Sequence, residues 1–281
     1  MTRLISAELF KLRKRSMTWV LLFVLIGIIV VFYLVLLSIA HGTQGIGQGS
    51  EPTQNMLGLS MVTPFVLSLL FPFGIILSVI VITSSIGTEY NWRTIRTMLI
   101  CSESRLKLLC AKLIAVGILM LIGMVIGIAI GFVMSVITTA IGGYAFDFRF
   151  ATGEYLWNQF LQFWRSFYVL IPYVLLGFLF AVIGRSSIPG IVLGISEFLL
   201  ESMITAFLYS AGDWIAEIPK YLLTVNVNAI NALGKVPVKV PVVSASSQMP
   251  GLPHAFATVA VYNLVFIVLA IYIFRKRDVT S

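Results

Sequence analysis

The sequence predicts an all-α polytopic membrane protein with six transmembrane helices, and three observations carry that prediction. Of the 281 residues, 59% are hydrophobic and only 11% charged, with a mean hydropathy of +1.02, well outside the range of soluble globular domains. The apolar residues gather into six runs, at 17–40, 58–86, 108–141, 165–184, 188–210 and 254–274, each able to cross a hydrocarbon core of about 30 Å. The cations collect between those runs on one side: 14 of the 19 Lys and Arg residues fall in the leader, the 87–112 loop, the turn at Arg185 and the C-terminal tail. Positive charge accumulates on the cytoplasmic side of a membrane protein, so both termini are predicted to be cytoplasmic.

Each element has its own reason. Residues 2–16 place Ile5, Leu9 and Leu12 at helical spacing and end in Lys11, Arg13, Lys14 and Arg15, which suits an interfacial amphipathic helix with its cations among lipid phosphates. Trp19 introduces the first span at headgroup depth. Span 2 contains Pro64 and Pro72, each expected to remove a backbone hydrogen bond and bend the helix. Span 3 is overlong, about 51 Å at 1.5 Å per residue, and must tilt, kink or extend beyond the bilayer. Its Gly123, Gly127 and Gly131 repeat every four residues and are predicted to form a smooth packing ridge.

Residues 142–163 are crowded with aromatics and are predicted to lie at the interface as an aromatic belt, with Trp157, Phe160, Leu161 and Trp164 on one face. Spans 4 and 5 are joined by Arg185, Ser186 and Ser187 into a helical hairpin. The outer segment 211–253 begins with Trp214, Ile218, Leu222, Val225 and Ala229 at helical intervals, one or two amphipathic helices broken near Pro219, and continues as a Pro-punctuated extended stretch. Span 6 ends in Arg275, Lys276 and Arg277. No internal repeat and no soluble domain is expected; residues 1–281 form one membrane domain.

Several chemistries are excluded or disfavoured. The chain has no G-x-x-x-x-G-K-[ST] motif and so no P-loop of its own; it also lacks G-x-S-x-G and H-E-x-x-H. No catalytic residue, resident cofactor or metal site is expected in this chain. His41 and His254 lie far apart at span ends, and Cys101 and Cys110 on the cytoplasmic side are expected as free thiols. The positive charge is read as a membrane signature, with no nucleic acid as partner.

Two features remain for function. The first is the charged island Ser85–Lys112, in which Glu89 to Leu99 can form a short helix along the membrane surface, with Trp92, Ile95 and Leu99 toward lipid and Arg93 and Arg96 toward water. The second is Glu197 and Glu201, one turn apart in span 5 with Thr205 a turn further along. A carboxylate at the centre of a membrane helix costs about 2.5–3.5 kcal/mol, so the pair must meet water, a cation or a partner such as Arg165. Two carboxylates at this spacing repel, and one shared proton relieves the repulsion.

The island, with Glu89, its aromatic turn, Thr94, Arg96, Arg105, Ala111 and Lys112, resembles the loop between spans two and three of bacterial ABC exporter permeases of the six-span, bacitracin-resistance and lantibiotic-immunity kind, the type V exporter fold. The resemblance extends to the layout: a basic leader with Glu8 and Lys11, six spans, a long outer segment and a basic tail. The chain departs from the family at Arg93, where Gly is usual, and at Ser102 and Glu103, where Pro is usual. The resemblance implies a permease subunit in the bacterial cytoplasmic membrane. It further implies a coupling helix at Glu89, Trp92, Arg93, Thr94 and Arg96, flanked by Arg105 and Lys112, docking on a separate ATPase that binds ATP and Mg. Two permeases and two ATPases would form the transporter, with Glu197, Glu201 and Thr205 on the path of an amphipathic or cationic drug or peptide. An ion- or proton-coupled carrier using the Glu197/Glu201 pair, and a non-transporting membrane scaffold, are the alternatives.

Overall fold

A computed structural model describes residues 1–42, 58–91, 105–141, 150–210, 217–234 and 250–276. Its described residues form eight α-helices: α1 (Thr2–Lys14), α2 (Ser16–Gly42), α3 (Val62–Asn91), α4 (Arg105–Ile141), α5 (Gly153–Gly184), α6 (Ser187–Ser210), α7 (Leu223–Asn231) and α8 (Leu252–Lys276). Six of them, α2 to α6 and α8, are long and apolar enough to cross a membrane. The chain is therefore an all-helical membrane protein, as its composition predicts.

The order of packing follows from burial. Within their most apolar stretches α5 is 67% buried and α3 56%, against 11% for α8 and 17% for α2, so α5 and α3 are the centre and the others surround them. The pair α3–α5 has the most extensive contact, with α6 and α8 against α5 and with α2 and α4 against α3. Ile29, Val66, Ile75, Val79, Tyr173 and Ile230 are fully buried where these helices meet. The outward faces of α2, α4, α6 and α8 carry Phe23, Val125, Met203, Phe207 and Leu264, which suits helices solvated by lipid.

One end of the bundle gathers α1, the starts of α2, α4 and α6 and the ends of α3, α5 and α8; we call it the basic end. Here α5 turns into α6 through Arg185, the one non-glycine residue with positive φ (50°) among those described. The turn presses the start of α6 against α3: a Cβ on Gly87 would collide with the backbone of Ser187.

Several expectations change in detail. Pro64 sits in the first turn of α3, where no intrahelical donor is needed, so Pro72 is the internal proline of that helix. From residue 153 onward the aromatic segment is continuous with the fourth span, which begins earlier than residue 165. It forms the first turns of α5, capped by Thr152 Oγ1 accepting from the Tyr155 amide at 3.3 Å, with Trp157, Phe160 and Trp164 exposed in a continuous aromatic contact. One long helix satisfies every backbone group internally, which a break at residue 164 would not. Residues 142–149 lie outside the described ones.

The outer segment differs most. Pro219 does begin a short turn, Ile218–Tyr221, and α7 follows, but α7 is buried on nearly every side, with Leu223, Thr224, Asn226, Val227 and Ile230 at 1% exposure or less. It is a plug against α5, α6 and α8, and its burial on both apolar and polar sides is what the expected amphipathic pattern did not anticipate. Its polar side chains account for that position: Asn226 Nδ2 donates to the carbonyls of Lys220 (2.8 Å) and Leu222 (2.7 Å), closing the turn that feeds the helix inward. Trp214 and residues 235–249 lie outside the described residues.

Candidate functional site

Two polar clusters interrupt the apolar bundle. The first is at the basic end and is assembled from three helices far apart in sequence. Lys112 of α4 is buried at 5% exposure and donates to Glu8 Oε2 of α1 at 2.7 Å and to Glu89 Oε1 of α3 at 2.5 Å. Lys11 Nζ lies 2.7 Å from Glu8 Oε1 and 3.7 Å from Glu89 Oε1. Two carboxylates and two ammonium groups thus meet in one cluster, with both carboxylates less than 5% exposed as residues. Arg15 adds a tether, donating from Nη1 to the Ser84 carbonyl at 3.1 Å.

The local sequence explains the arrangement. In α1, Glu8 and Leu12 share the inward face, so the helix presents one carboxylate among apolar side chains while Arg13 and Lys14 point outward. Burial of the Glu8 carboxyl raises its proton affinity, but the ammonium groups of Lys112 and Lys11 outweigh that and hold it below its ordinary value of 4.5. A carboxylate lowered in the folded state stabilises it above the unfolded value and loses that contribution as pH falls through the folded one. Docking of α1 is therefore expected to be constant at neutral pH and to weaken only below about pH 4.5, a change that protease access to the leader would register.

Glu89 was predicted to open a surface helix. It instead belongs to the last turn of α3 and is consumed by the ion cluster. Trp92, Arg93, Thr94 and Arg96 lie outside the described residues, and Arg105 is the first residue of α4. The described frame thus consists of two helix ends, α3 and α4, bound together through Glu89 and Lys112 and to the leader through Glu8.

The second cluster surrounds the acidic pair of α6. Glu201 is 9% exposed and accepts from Thr224 Oγ1 of the α7 plug at 2.7 Å, and Tyr173 Oη of α5 lies 3.4 Å from the same threonine oxygen. Glu197 interacts with Glu201, and among the described residues no donor is directed at its buried Oε2. The pair turns away from the apolar outer face of α6, as the cost of exposing a carboxyl to lipid requires. Arg165 forms no ion pair with either carboxyl among the described residues. The hydroxyl of Thr205 is directed back to its own helix, donating to the Glu201 carbonyl at 2.7 Å. Around the plug, His254 Nε2 meets the Lys220 carbonyl at 3.0 Å and Tyr262 Oη donates to the Tyr221 carbonyl at 3.1 Å, fastening α8 to the same turn. Replacing Thr224 by Val should leave Glu201 buried without its donor and cost about 1–3 kcal/mol, read as a lower unfolding midpoint in detergent.

Of the glycine ridge, Gly127 and Gly131 pack as expected: Gly127 faces Ile29, Leu70 and Val66, and Gly131 lies against Val66 and Val62. Gly123 does not, since a Cβ there would meet nothing within 4 Å. Cys110 is an exposed free thiol, and Cys101 lies outside the described residues. Among the described residues no group of three or more His, Cys, Asp or Glu side chains could hold a metal ion.

Sequence reasoning missed the long-range members of both clusters. Lys112 meets Glu8 across 104 residues, and Thr224 meets Glu201 across 23. The signal for the second cluster was the acidic pair itself, since a carboxyl in an apolar helix must find a partner inside the bundle.

Six membrane-crossing helices, an ion cluster at one end and a carboxyl pair buried within define a polytopic integral membrane protein. Residues 46–280 match the family described as "Protein of unknown function (DUF2705)", and the chain belongs to that family. It is also similar to "Uncharacterized protein YhcI" of Bacillus subtilis (strain 168), with 25% identity over 216 residues covering 73% of this chain and 64% of the relative, so the match spans less than two thirds of the relative's length.

Proposed function

We propose that this chain is the membrane-spanning permease subunit of an ATP-driven exporter, which moves an amphipathic or cationic compound, such as an antimicrobial peptide or drug, out of the cell or membrane. The ATPase is a separate subunit present in two copies, the permease pairs with a second permease, and the basic end faces the cytoplasm of a bacterial cell. The observation that carries this reading is the Glu8–Lys112–Glu89 cluster. A loop that receives force from a motor must be mounted rigidly on the helices that it moves, and the cluster binds the two helices flanking residues 92–104 to each other and to the leader. A push on that loop then moves α1, α3 and α4 together rather than fraying one helix end. The loop resemblance supplies the motor; the cluster supplies a mount fit for it.

In this reading Glu197 and Glu201 bias the path toward cationic compounds, with the α7 plug held on Glu201 by Thr224. Co-expression with a P-loop ATPase encoded beside this chain is expected to yield a complex of both subunits. Arg105→Glu should uncouple substrate-stimulated ATP turnover at unchanged expression; intact co-purification and turnover would remove the coupling claim. Glu197→Gln with Glu201→Gln should reduce export of, or resistance to, cationic compounds.

One observation favours a second reading. The undonated Glu197 Oε2 beside Glu201 is an arrangement suited to carrying a proton or cation, as in an ion-coupled carrier. Transport in ATPase-free proteoliposomes driven by a proton gradient would select it.

A further inference from the structure

Beside α3 there is a lateral groove that neither polar cluster uses. Its floor is Leu70, Gly74 and Ser78 of α3 with Leu170 of α5, and its walls are α2 through Leu22 and Leu25 and α4 through Met120 and Met124. The empty space is about 590 Å³, including the part open to the side. Gly123 lies on the α4 wall with no atom within 4 Å of where its Cβ would be, which accounts for the one glycine of the ridge that packs against nothing.

Three features describe the occupant. The first is length. From Leu70 to Val81, the α3 residues that line it, the groove rises about 16 Å, close to half of a hydrocarbon core of about 30 Å, so it covers the depth of one leaflet. The second is chemistry: nearly all of its lining side chains are apolar, and it opens between α2 and α4, whose outer faces are themselves apolar. The third is charge at the mouth. Thr18 lines the shallow end, one turn beyond Arg15, and the leader brings exposed Arg13 and Lys14 to that level. Trp19 holds the junction, its Nε1 donating to the Arg13 carbonyl at 2.9 Å. An apolar slot one leaflet deep beneath a cationic rim is complementary to an acyl chain that carries an anionic head.

The geometry points to a resident-lipid site: one acyl chain of an anionic phospholipid of the surrounding bilayer lies in the groove between α2 and α4, with its phosphate at Arg13 and Lys14. The groove would be so occupied whether or not the protein is an exporter. Its filling joins α2 to α4 where protein side chains leave a gap, and fixes the leader to the lipid that it lies on.

The test uses the full chain in vesicles of phosphatidylglycerol or phosphatidylcholine that carry the same photoreactive acyl chain, with labelled positions identified by peptide mass spectrometry. Labelling at Leu22 and Met120 should exceed that at Met203 and Phe207, which face outward on α6 and report bulk lipid. It should be stronger with phosphatidylglycerol, and Gly123→Leu, which fills the groove, should abolish the excess while α6 labelling is retained. Arg13→Gln with Lys14→Gln, both exposed, tests the rim without touching the core: the preference for the anionic lipid should fall about fivefold for each cation removed. Equal labelling of groove and α6, an excess that survives Gly123→Leu, or identical labelling by the two lipids would overturn the proposal. Displacement of the label by an amphipathic cation, with no headgroup preference, would assign the groove to a transported compound instead and equally overturn it.

Discussion

Replacing Lys112 by Met is expected to destabilise the protein by about 3–5 kcal/mol, the largest effect of any single substitution considered. The cost comes less from the lost attraction than from what remains. Glu8 and Glu89 are both nearly inaccessible to solvent, and Lys112 lies within 2.7 Å of each. Removing it leaves two like charges buried at the basic end, with Lys11 remaining 2.7 Å from one and 3.7 Å from the other. That residual partner places the effect toward the lower part of the range.

The pH dependence distinguishes this account from simple loss of packing. In the native chain Glu8 is lowered, so acid weakens the folded state. In Lys112→Met burial acts on Glu8 with less opposition, its folded value rises above the unfolded one, and the sign reverses: the variant should recover stability as pH falls from 7 toward 5. Unfolding in detergent, followed by protease access for the leader and by helix content for the bundle, measures both. Restoration of stability by adding Glu8→Gln to Lys112→Met would show the interaction as a coupling energy. A variant whose deficit is independent of pH would sink the electrostatic explanation.

The second large effect is expected at Gly87. A β-carbon there would meet the backbone nitrogen and Cα of Ser187 as well as its Oγ, and backbone atoms cannot rotate away as a side-chain tip can. Ser187 opens α6 directly after the turn at Arg185, which already holds a left-handed conformation. Accommodation of Gly87→Leu would therefore require α6 to move off α3, at about 3 kcal/mol, the upper end of ordinary overpacking. Gly123→Leu is the matched control, since its side chain enters open space and should leave the unfolding midpoint within about 0.5 kcal/mol of the native one. Similar losses for the two variants would mean that the contact with Ser187 does not set the cost, since helix propensity by itself favours leucine over glycine at both sites.

The two glycines also mark the limit of what spacing can tell. Gly123, Gly127 and Gly131 form one uninterrupted i, i+4 pattern, yet only Gly127 and Gly131 receive another helix. Gly87, in no such pattern, has the closest approach to a neighbouring backbone. Periodicity states which residues share a face. What lies against that face depends on where other helices cross, and crossing is decided by side chains elsewhere in the chain.

The outer segment makes the same point. Its helical intervals and the break at Pro219 were legible, but the intervals pointed to amphipathic helices, and α7 is buried on nearly every side. Thr224 and Asn226 are the groups that bind the plug to Glu201 and to its own entry turn. A polar residue in a short segment has the same hydropathy whether it faces water or a buried carboxyl.

By itself the sequence determined that this is an all-helical membrane protein with six spans, because burying backbone polar groups in lipid leaves a chain this apolar no other described form. It also marked the acidic pair Glu197 and Glu201 as groups that could not remain in lipid alone. Only the tertiary structure decided their partners. Lipid solvates every apolar face about equally, so hydropathy cannot say which helices occupy the centre, and a buried charge specifies that a counter-charge is needed without specifying where in the chain it comes from. Packing of α3 and α5 at the centre brought Lys112 to Glu8 and Glu89 and left the groove beside Gly123 open to the bilayer.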